Sequence, residues 1–243
     1  MSESPKFSIV TITKDNEAGL RATFQSVASQ SDQNFELIVI DGHSCDGTKE
    51  LVQEFKAIVT RFEEDSGAGI YAAMNQGVAS CRGDWVIFMN SGDIFSDDKV
   101  LERFEAPPKS VIAFGKTRKP DGSPHTEFLG WENIWKRMPF CHQAAFVRRS
   151  LLLDHPFNER YNIAADFEFV LWAHSEACVF HQLDYNVAQI EEGGISDTAI
   201  FKRIWQTYRV VLPYFPQWKV HSFYFSKLKW AFRRQYFSER RRK

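Results

Sequence analysis

The N-terminal part of the chain alternates between two hydrophobic periodicities. "FSIVTIT" (7–13) is apolar and rich in β-branched residues, which predicts a buried strand. Behind it, Leu20, Phe24 and Val27 recur at helical spacing, with Asp15 or Asn16 placed to cap the helix. "FELIVID" (35–41) predicts a second strand, and Asp46-Gly47-Thr48 opens a second helix through "KELVQEF". "AIVTRF" (57–62) is a third strand, "GIYAAMNQGVASC" (69–81) a third helix with Ile70, Met74 and Val78 on one face, and "WVIFM" (85–89) a fourth strand. Strand–helix three times and then a strand, with connections short enough for parallel crossovers, predicts an α/β fold: a mostly parallel, Rossmann-like sheet with helices on both faces.

From 107 on the pattern changes. "VIAFGKTR" and "HTEFLG" flank "KPDGSP" and predict a hairpin. An irregular stretch, "WENIWKRMPFCHQAAFVRRS", follows, then a helix over "AADFEFVLWAHS" (164–175) with Asp166 in its first turn. Two short strands, "CVFHQLD" and "VAQIE", precede "GGIS". With no repeat and no low-complexity linker, residues 1–200 are expected to form one domain, in halves 1–106 and 107–200, followed by an extension at 201–243.

The composition, 44% hydrophobic and 25% charged, is that of an ordinary soluble domain. Apolar runs of about five residues are too short to cross a bilayer, and "MSESPKFSIVTIT" lacks the regions of a secretory signal, so the protein is expected in the cytoplasm. Cys45, Cys81, Cys141 and Cys178 form no CxxC pair, which argues against a disulfide framework or zinc site. His174, Cys178 and His181 share a tempting spacing, but Cys178 starts a strand rather than continuing the helix. The net charge of −1 conceals a division: residues 201–243 carry +11 and the rest −12.

Ligands of open α/β sheets bind beyond the carboxyl ends of the strands. Thr11–Thr13, Asp41 and the cluster Asn90-Ser91-Gly92-Asp93 all fall there, although each could be a turn or capping residue on its own. "GHSCDGTK" (42–49) has the P-loop lysine and threonine in reversed order, no G-x-G-x-x-G follows the first strand, and no G-x-S-x-G is present. A nucleoside diphosphate sugar would be repelled by an acidic body unless a divalent cation, Mn²⁺ or Mg²⁺, reversed the local sign. Asp93 offers that cation a carboxylate and Asn90 a carbonyl oxygen. Transfer to a hydroxyl needs a base, and Asp166 has the chemistry, with the helix dipole lowering its basicity and burial by Phe167 and Phe169 raising it.

Taken in order, "FSIVTIT", "FELIVIDGHSCDGT", "DSGAGIYAAMNQG", "GDWVIFMNSGD", "CHQAAF", "AADFEF" and "GGIS" resemble the family 2 glycosyltransferases, which have the GT-A fold. The nearest likeness is to the subgroup that builds bacterial exopolysaccharides such as colanic acid. The resemblance covers roughly 7–196. It implies that Thr11, Thr13, Asp41, Asp65, Asn75 and Ser91 bind nucleotide, that Asn90 and Asp93 take the place of the metal-binding Asp-x-Asp segment, and that Asp166 is the general base. His142 and Gln143 match a motif on the acceptor side. It further implies single displacement with inversion, and a lipid-carried saccharide acceptor at the inner membrane surface. The chain departs from the family in having Asp41-Gly42 where many relatives carry two acids, and in keeping one acid in "NSGD". The processive Gln-x-x-Arg-Trp signature is absent, which implies one addition per encounter.

In the extension, Phe201, Ile204, Trp205, Tyr208, Val211 and Leu212 form an apolar stripe opposite Lys202, Arg203 and Arg209. A basic amphipathic helix with aromatics suits an anionic membrane surface, the alternative being that both helices pack on the domain with their charges solvated, whereas an acidic body without a binding motif disfavours nucleic acid. The alternative to an enzyme is a non-catalytic nucleotide-sugar-binding module or a membrane adaptor.

Overall fold

Both faces of the strand Phe7–Thr13 (β1) are covered, which explains why it runs apolar without alternation. Ile9 joins the core on one side of the sheet and Val10 the core on the other. The structure is a computed structural model and describes residues 4–126, 128, 130–190 and 199–240; "GGIS" lies outside them. β1 pairs in parallel with β2 (Phe35–Asp41) and β4 (Trp85–Phe88), and β2 with β3 (Val59–Glu64). The crossovers are α1 (Glu17–Ala28), α2 (Thr48–Glu54) and α3 (Ile70–Ser80). Gly77 of α3 sits so close to β1 that a Cβ there would lie 2.5 Å from a Val10 methyl, which draws the helix down onto the sheet.

Antiparallel and mixed pairing extends this sheet. β8 (Ala145–Arg148) lies against β4, then β6 (Ile112–Arg118), β9 (Phe180–Gln189) and β5 (Ile94–Phe95), while β7 (Pro124–Thr126) pairs with β6. The described residues thus form a nine-stranded sheet. Helices α4 (Arg149–Asp154) and α5 (Ala165–Ser175) complete the body, and α6 (Ile200–Val211) and α7 (Gln217–Arg240) follow.

Two expectations are corrected. The third strand starts at Val59, because Ile58 closes a turn onto the Phe55 carbonyl at 3.0 Å. The two strands expected at 178–184 and 187–191 are one, β9, whose polar Asp184–Asn186 stretch falls where its register against β6 shifts. For the stripe of 201–212 the packed alternative holds in part. Ile204 and Val211 are buried, as are Val210 here and Val220 and Tyr224 of α7. The Tyr224 hydroxyl donates to the Trp135 carbonyl at 3.2 Å. Among the described side chains, the exposed aromatics are Trp205, Tyr214, Trp218, Phe225, Trp230 and Phe232, with Trp218 76% exposed. No helix of the described residues is long and apolar enough to cross a membrane.

Candidate active site

Parallel pairing brings the strand ends together: Thr13 is opposite Asp41 in the β1–β2 register. Beyond the last residue of β4 the ladder to β1 continues, with Met89 N–H on the Val10 carbonyl at 3.0 Å and Ser91 N–H on the Ile12 carbonyl at 3.1 Å. This places Asn90–Asp93 over the edge of the sheet. The segment is a tight turn, closed by the Asp93 N–H on the Asn90 carbonyl at 2.9 Å, with Gly92 at φ 102°, which glycine adopts without steric cost. Asn16, which caps α1, donates to the Ser91 carbonyl at 3.2 Å and accepts from the Ser91 hydroxyl through its own carbonyl at 3.1 Å. The buried hydroxyl of Thr23 accepts from Gly92 N–H at 3.1 Å and lies 2.8 Å from the Asp93 carbonyl. One face of α1 therefore holds the whole turn in place.

Antiparallel β8 supplies the facing wall. Ile87 pairs with Phe146, and continuing that register brings the single 3-10 turn His142–Ala144 beside Asn90–Asp93. Gln143 Nε2 donates to Asp93 Oδ2 at 3.3 Å, and the Cys141 thiol donates to Gln143 Oε1 at 2.7 Å, which orients the amide. Burial pushes that thiol up to about 12, so it stays protonated. His142 turns to the other side, where its Nδ1 lies 3.1 Å from Asp166 Oδ2. Tyr71 of α3 donates its hydroxyl to the second oxygen, Oδ1, at 2.7 Å. Two neighbouring residues of one turn thereby bridge the acid expected at the metal and the acid expected as base.

The position of Asp166 is secured from both sides of the loop before α5. Asn75 binds both backbone groups of Phe157 at 2.9 Å and reaches Glu159 at 3.0 Å. Gln206 of α6 accepts from Ile163 N–H at 3.0 Å and donates to Asn162 at 2.6 Å. The Asn75 amide, expected beside the ribose and diphosphate, is committed to protein at both ends. Asp41 is fully buried and accepts from the Ser44 N–H and hydroxyl, the latter at 2.5 Å. Asp65 accepts Gly67 N–H at 2.8 Å, and its own N–H is held by the Asp41 carbonyl at 2.9 Å.

Electrostatics set the protonation states. Burial pushes the Asp166 carboxyl up, but the hydrogen bond and charge of His142, the Tyr71 hydroxyl and the Phe167 N–H hold it below the ordinary carboxylate value. The ionised form is favoured chiefly by His142 and Tyr71, two donors that stand outside the competition between helix dipole and burial. His142 is held above the usual imidazole value: burial lowers it, and the Asp166 bond together with the Asp166 and Asp93 charges outweighs burial.

Half of the buried polar side-chain atoms without a partner among the described residues lie near this end of the sheet: the hydroxyls of Thr11 and Thr13, Asn90 Oδ1 and His142 Nε2, the others being on Ser110, Arg118, Arg149 and Glu168. Each is costly to leave unmet, by about 1–3 kcal/mol. Glu36 at the opposite end shows the contrast, since it is 3% exposed yet accepts from Ser8, Arg82 and Gly83. Thr11→Val removes an unmet hydroxyl at constant shape. The thermal midpoint is expected to hold or rise, which differential scanning fluorimetry reads.

For a divalent cation, Asn90 Oδ1 and the Asp93 carboxylate are hard oxygen donors. Among the described residues no group of three or more His, Cys, Asp or Glu side chains could cage a metal. The donor set fits an ion whose remaining ligands come from diphosphate and water, and does not fit one bound by protein alone. The His174–Cys178–His181 spacing comes to nothing: the His174 ring stacks on Trp131 at 4.7 Å, and Cys178 follows the end of α5. Sequence reasoning missed Tyr71 and Thr23. The signal for Tyr71 was a phenol on the buried part of an otherwise apolar helix, where its hydroxyl requires a partner.

The glycosyl transferase family 2 model matches residues 8–158. The chain is 30% identical over 213 residues to the PGL/p-HBAD biosynthesis glycosyltransferase of Mycobacterium bovis BCG, covering 82% of each. Its structure is similar to that of S. aureus TarS in complex with UDP-GlcNAc, with a TM-score of 0.68 and 20% identity over 92% of this chain and 71% of that one. It is equally similar in fold to the mannosyltransferase PcManGT from Pyrobaculum calidifontis in complex with GDP-Man and Mn²⁺, at TM-score 0.68 and 15% identity over 93% and 70%. These neighbours share the GT-A-like arrangement of curled sheet and helices. The stretch matched by the family model holds the four parallel strands, the Asn90–Asp93 turn and the His142–Gln143 wall, and the chain belongs to glycosyl transferase family 2.

Proposed function

We propose that the protein transfers one sugar per encounter, with inversion, from a nucleoside diphosphate sugar to a hydroxyl of a lipid-linked saccharide in surface polysaccharide synthesis. The observation that carries this reading is the set of unmet buried oxygens at the strand ends, together with a carboxylate–imidazole pair whose histidine belongs to the 3-10 turn beside Asn90–Asp93. The parallel half, 1–106, takes the nucleotide, with Thr11, Thr13, Asp41, Asp65 and Ser91 at the strand ends and Asn75 shaping the wall through the 157–159 loop. The half 107–200 takes the acceptor, with Gln143 and His142 between donor and acceptor.

A divalent cation held by Asp93 and Asn90 would offset the diphosphate charge and stabilise the departing nucleotide. The chain's own residues do the rest. The Asn90–Asp93 turn, held rigid by Asn16 and Thr23, orients the donor. The Asp166–His142 pair receives the proton of the attacking hydroxyl, which approaches the anomeric carbon opposite the leaving diphosphate. A panel of UDP- and GDP-sugars with Mn²⁺ or Mg²⁺ tests this. Release of free nucleotide, lost in Asp166→Asn, is expected, and nucleotide binding without any release would leave a binding module instead.

The exposed aromatics and the +11 extension support residence at the cytoplasmic face of an anionic membrane. Each Lys or Arg near such a surface contributes about 1 kcal/mol. Flotation with anionic vesicles, weakened by salt and by the pair Trp218→Ser and Phe225→Ser, is the expected result. Equal flotation with neutral vesicles would contradict the electrostatic part, and no flotation at all would remove the membrane role.

A further inference from the structure

Helices α6 and α7 pack side by side through two aromatic contacts. Tyr208 meets Tyr224 at 5.8 Å near the connecting loop, and Phe201 meets Phe232 at 4.8 Å at the far end. Between these contacts lies a groove of about 570 Å³, inside the range of about 300–1,000 Å³ usual for ligand sites. Ile204, Trp205 and Tyr208 line it from α6, and Ser222, Phe225 and Leu228 from α7. The Trp205 ring stacks on Tyr208 at 5.6 Å and forms one wall, while Ser222 contributes the smallest of the lining side chains. Trp205 is 54% and Phe225 62% exposed, so the slot presents apolar surface that the chain itself leaves uncovered.

Charge narrows what can lie there. Lys202 and Arg209, both exposed, stand three residues before and four after Trp205 on α6, and Lys229 Nζ lies 4.6 Å from the Phe225 ring centroid. Glu239 is the one acid in 201–243, well beyond the groove along α7. The groove therefore has an apolar floor and a cationic rim. A second copy of this face would set +11 against +11, which opposes self-pairing. The occupant that suits floor and rim together has a slender hydrocarbon part and a negative end.

We propose that the α6–α7 groove seats one acyl chain of an anionic membrane phospholipid, with the headgroup phosphate among Lys202, Arg209 and Lys229. This deepens the membrane reading given above and rests on it for the source of the lipid. It differs from adsorption through scattered aromatics, because the seated lipid is a ligand with a fixed stoichiometry.

The test titrates the full chain by calorimetry with a soluble probe, dioctanoyl-phosphatidylglycerol below its micelle concentration. One equivalent is expected to bind. Dioctanoyl-phosphatidylcholine should bind at least about fivefold more weakly, for the loss of one net headgroup charge beside the rim. Ser222→Phe separates seating from adsorption, since it fills the slot while adding apolar surface. Its probe affinity should fall at least about tenfold while flotation with phosphatidylglycerol vesicles holds or rises, at an unchanged thermal midpoint. Trp205→Ser, which removes a wall, should lose the probe as well. Parent-like probe binding in Ser222→Phe, equal affinity for the two headgroups, or flotation without probe binding would overturn the groove and leave the membrane reading in place. Displacement of the probe by farnesyl diphosphate at about a hundredth of its concentration would overturn it in favour of an isoprenoid chain. A parent dimer broken by Ser222→Phe would overturn it in favour of a second copy. Probe binding without flotation of the parent would support the groove and count against membrane residence.

Discussion

Asp166→Asn is expected to reduce turnover by about 10⁴ while changing nucleotide affinity less than twofold. The substitution keeps the volume, and its carbonyl can still accept from Tyr71. Its amide nitrogen, however, donates where Oδ2 accepted, so His142 Nδ1 must become the acceptor and the hydrogen moves to Nε2. The carboxylate is gone, and with it the negative charge that lets the Asp166–His142 pair take up a proton. Asp166→Ala is a poorer test, since it strands the Tyr71 hydroxyl and the imidazole in a buried setting at about 1–3 kcal/mol each. Steady-state kinetics beside calorimetry of nucleotide binding separates loss of chemistry from loss of fold. Turnover within tenfold of the parent would remove Asp166 from the reaction.

Asp93→Ala is expected to weaken nucleotide binding at least about tenfold in Mn²⁺ or Mg²⁺, and hardly at all in chelator. Asp93 is 5% exposed and receives Gln143, so the variant also loses the bridge between the donor turn and the acceptor wall. Its backbone contacts to Asn90 and Thr23 do not depend on the side chain, which predicts an intact turn. With only two protein side chains to hold it, the ion depends on the diphosphate for its remaining ligands, so metal affinity without nucleotide should be weak in the parent as well. Calorimetry of UDP or GDP with and without metal decides it. The same affinity ratio in parent and variant would show that the cation, if used, sits elsewhere.

Local pattern carried far in the first part of the chain and less far after it. Strands β1, β2 and β4 and helices α1 and α3 followed from runs and spacings, because a buried parallel strand needs apolar residues on both faces and its crossover helix needs one apolar stripe. β9 was split in two because a strand that changes partner register places polar residues, Asp184 to Asn186, where an even alternation would not. The stripe of α6 was visible in the pattern, but its partner was not. An amphipathic helix has the same pattern against a protein body as against a membrane, and here Ile204 and Val211 face the body. What remains outside is a scatter of aromatics, chiefly on α7.

The sequence by itself determined that a polar cluster ends an apolar strand and that Thr13, Asp41 and Asn90–Asp93 share the carboxyl edge of a sheet, since parallel order follows from short crossovers. Only the tertiary structure decided how the acids are employed. Tyr71 meets Asp166 across 95 residues, and Gln143 meets Asp93 across 50, through an antiparallel pairing that no periodicity announces. Secondary structure is written in neighbours along the chain, whereas the basicity of a carboxylate depends on whichever donors the folded chain brings within about 3 Å.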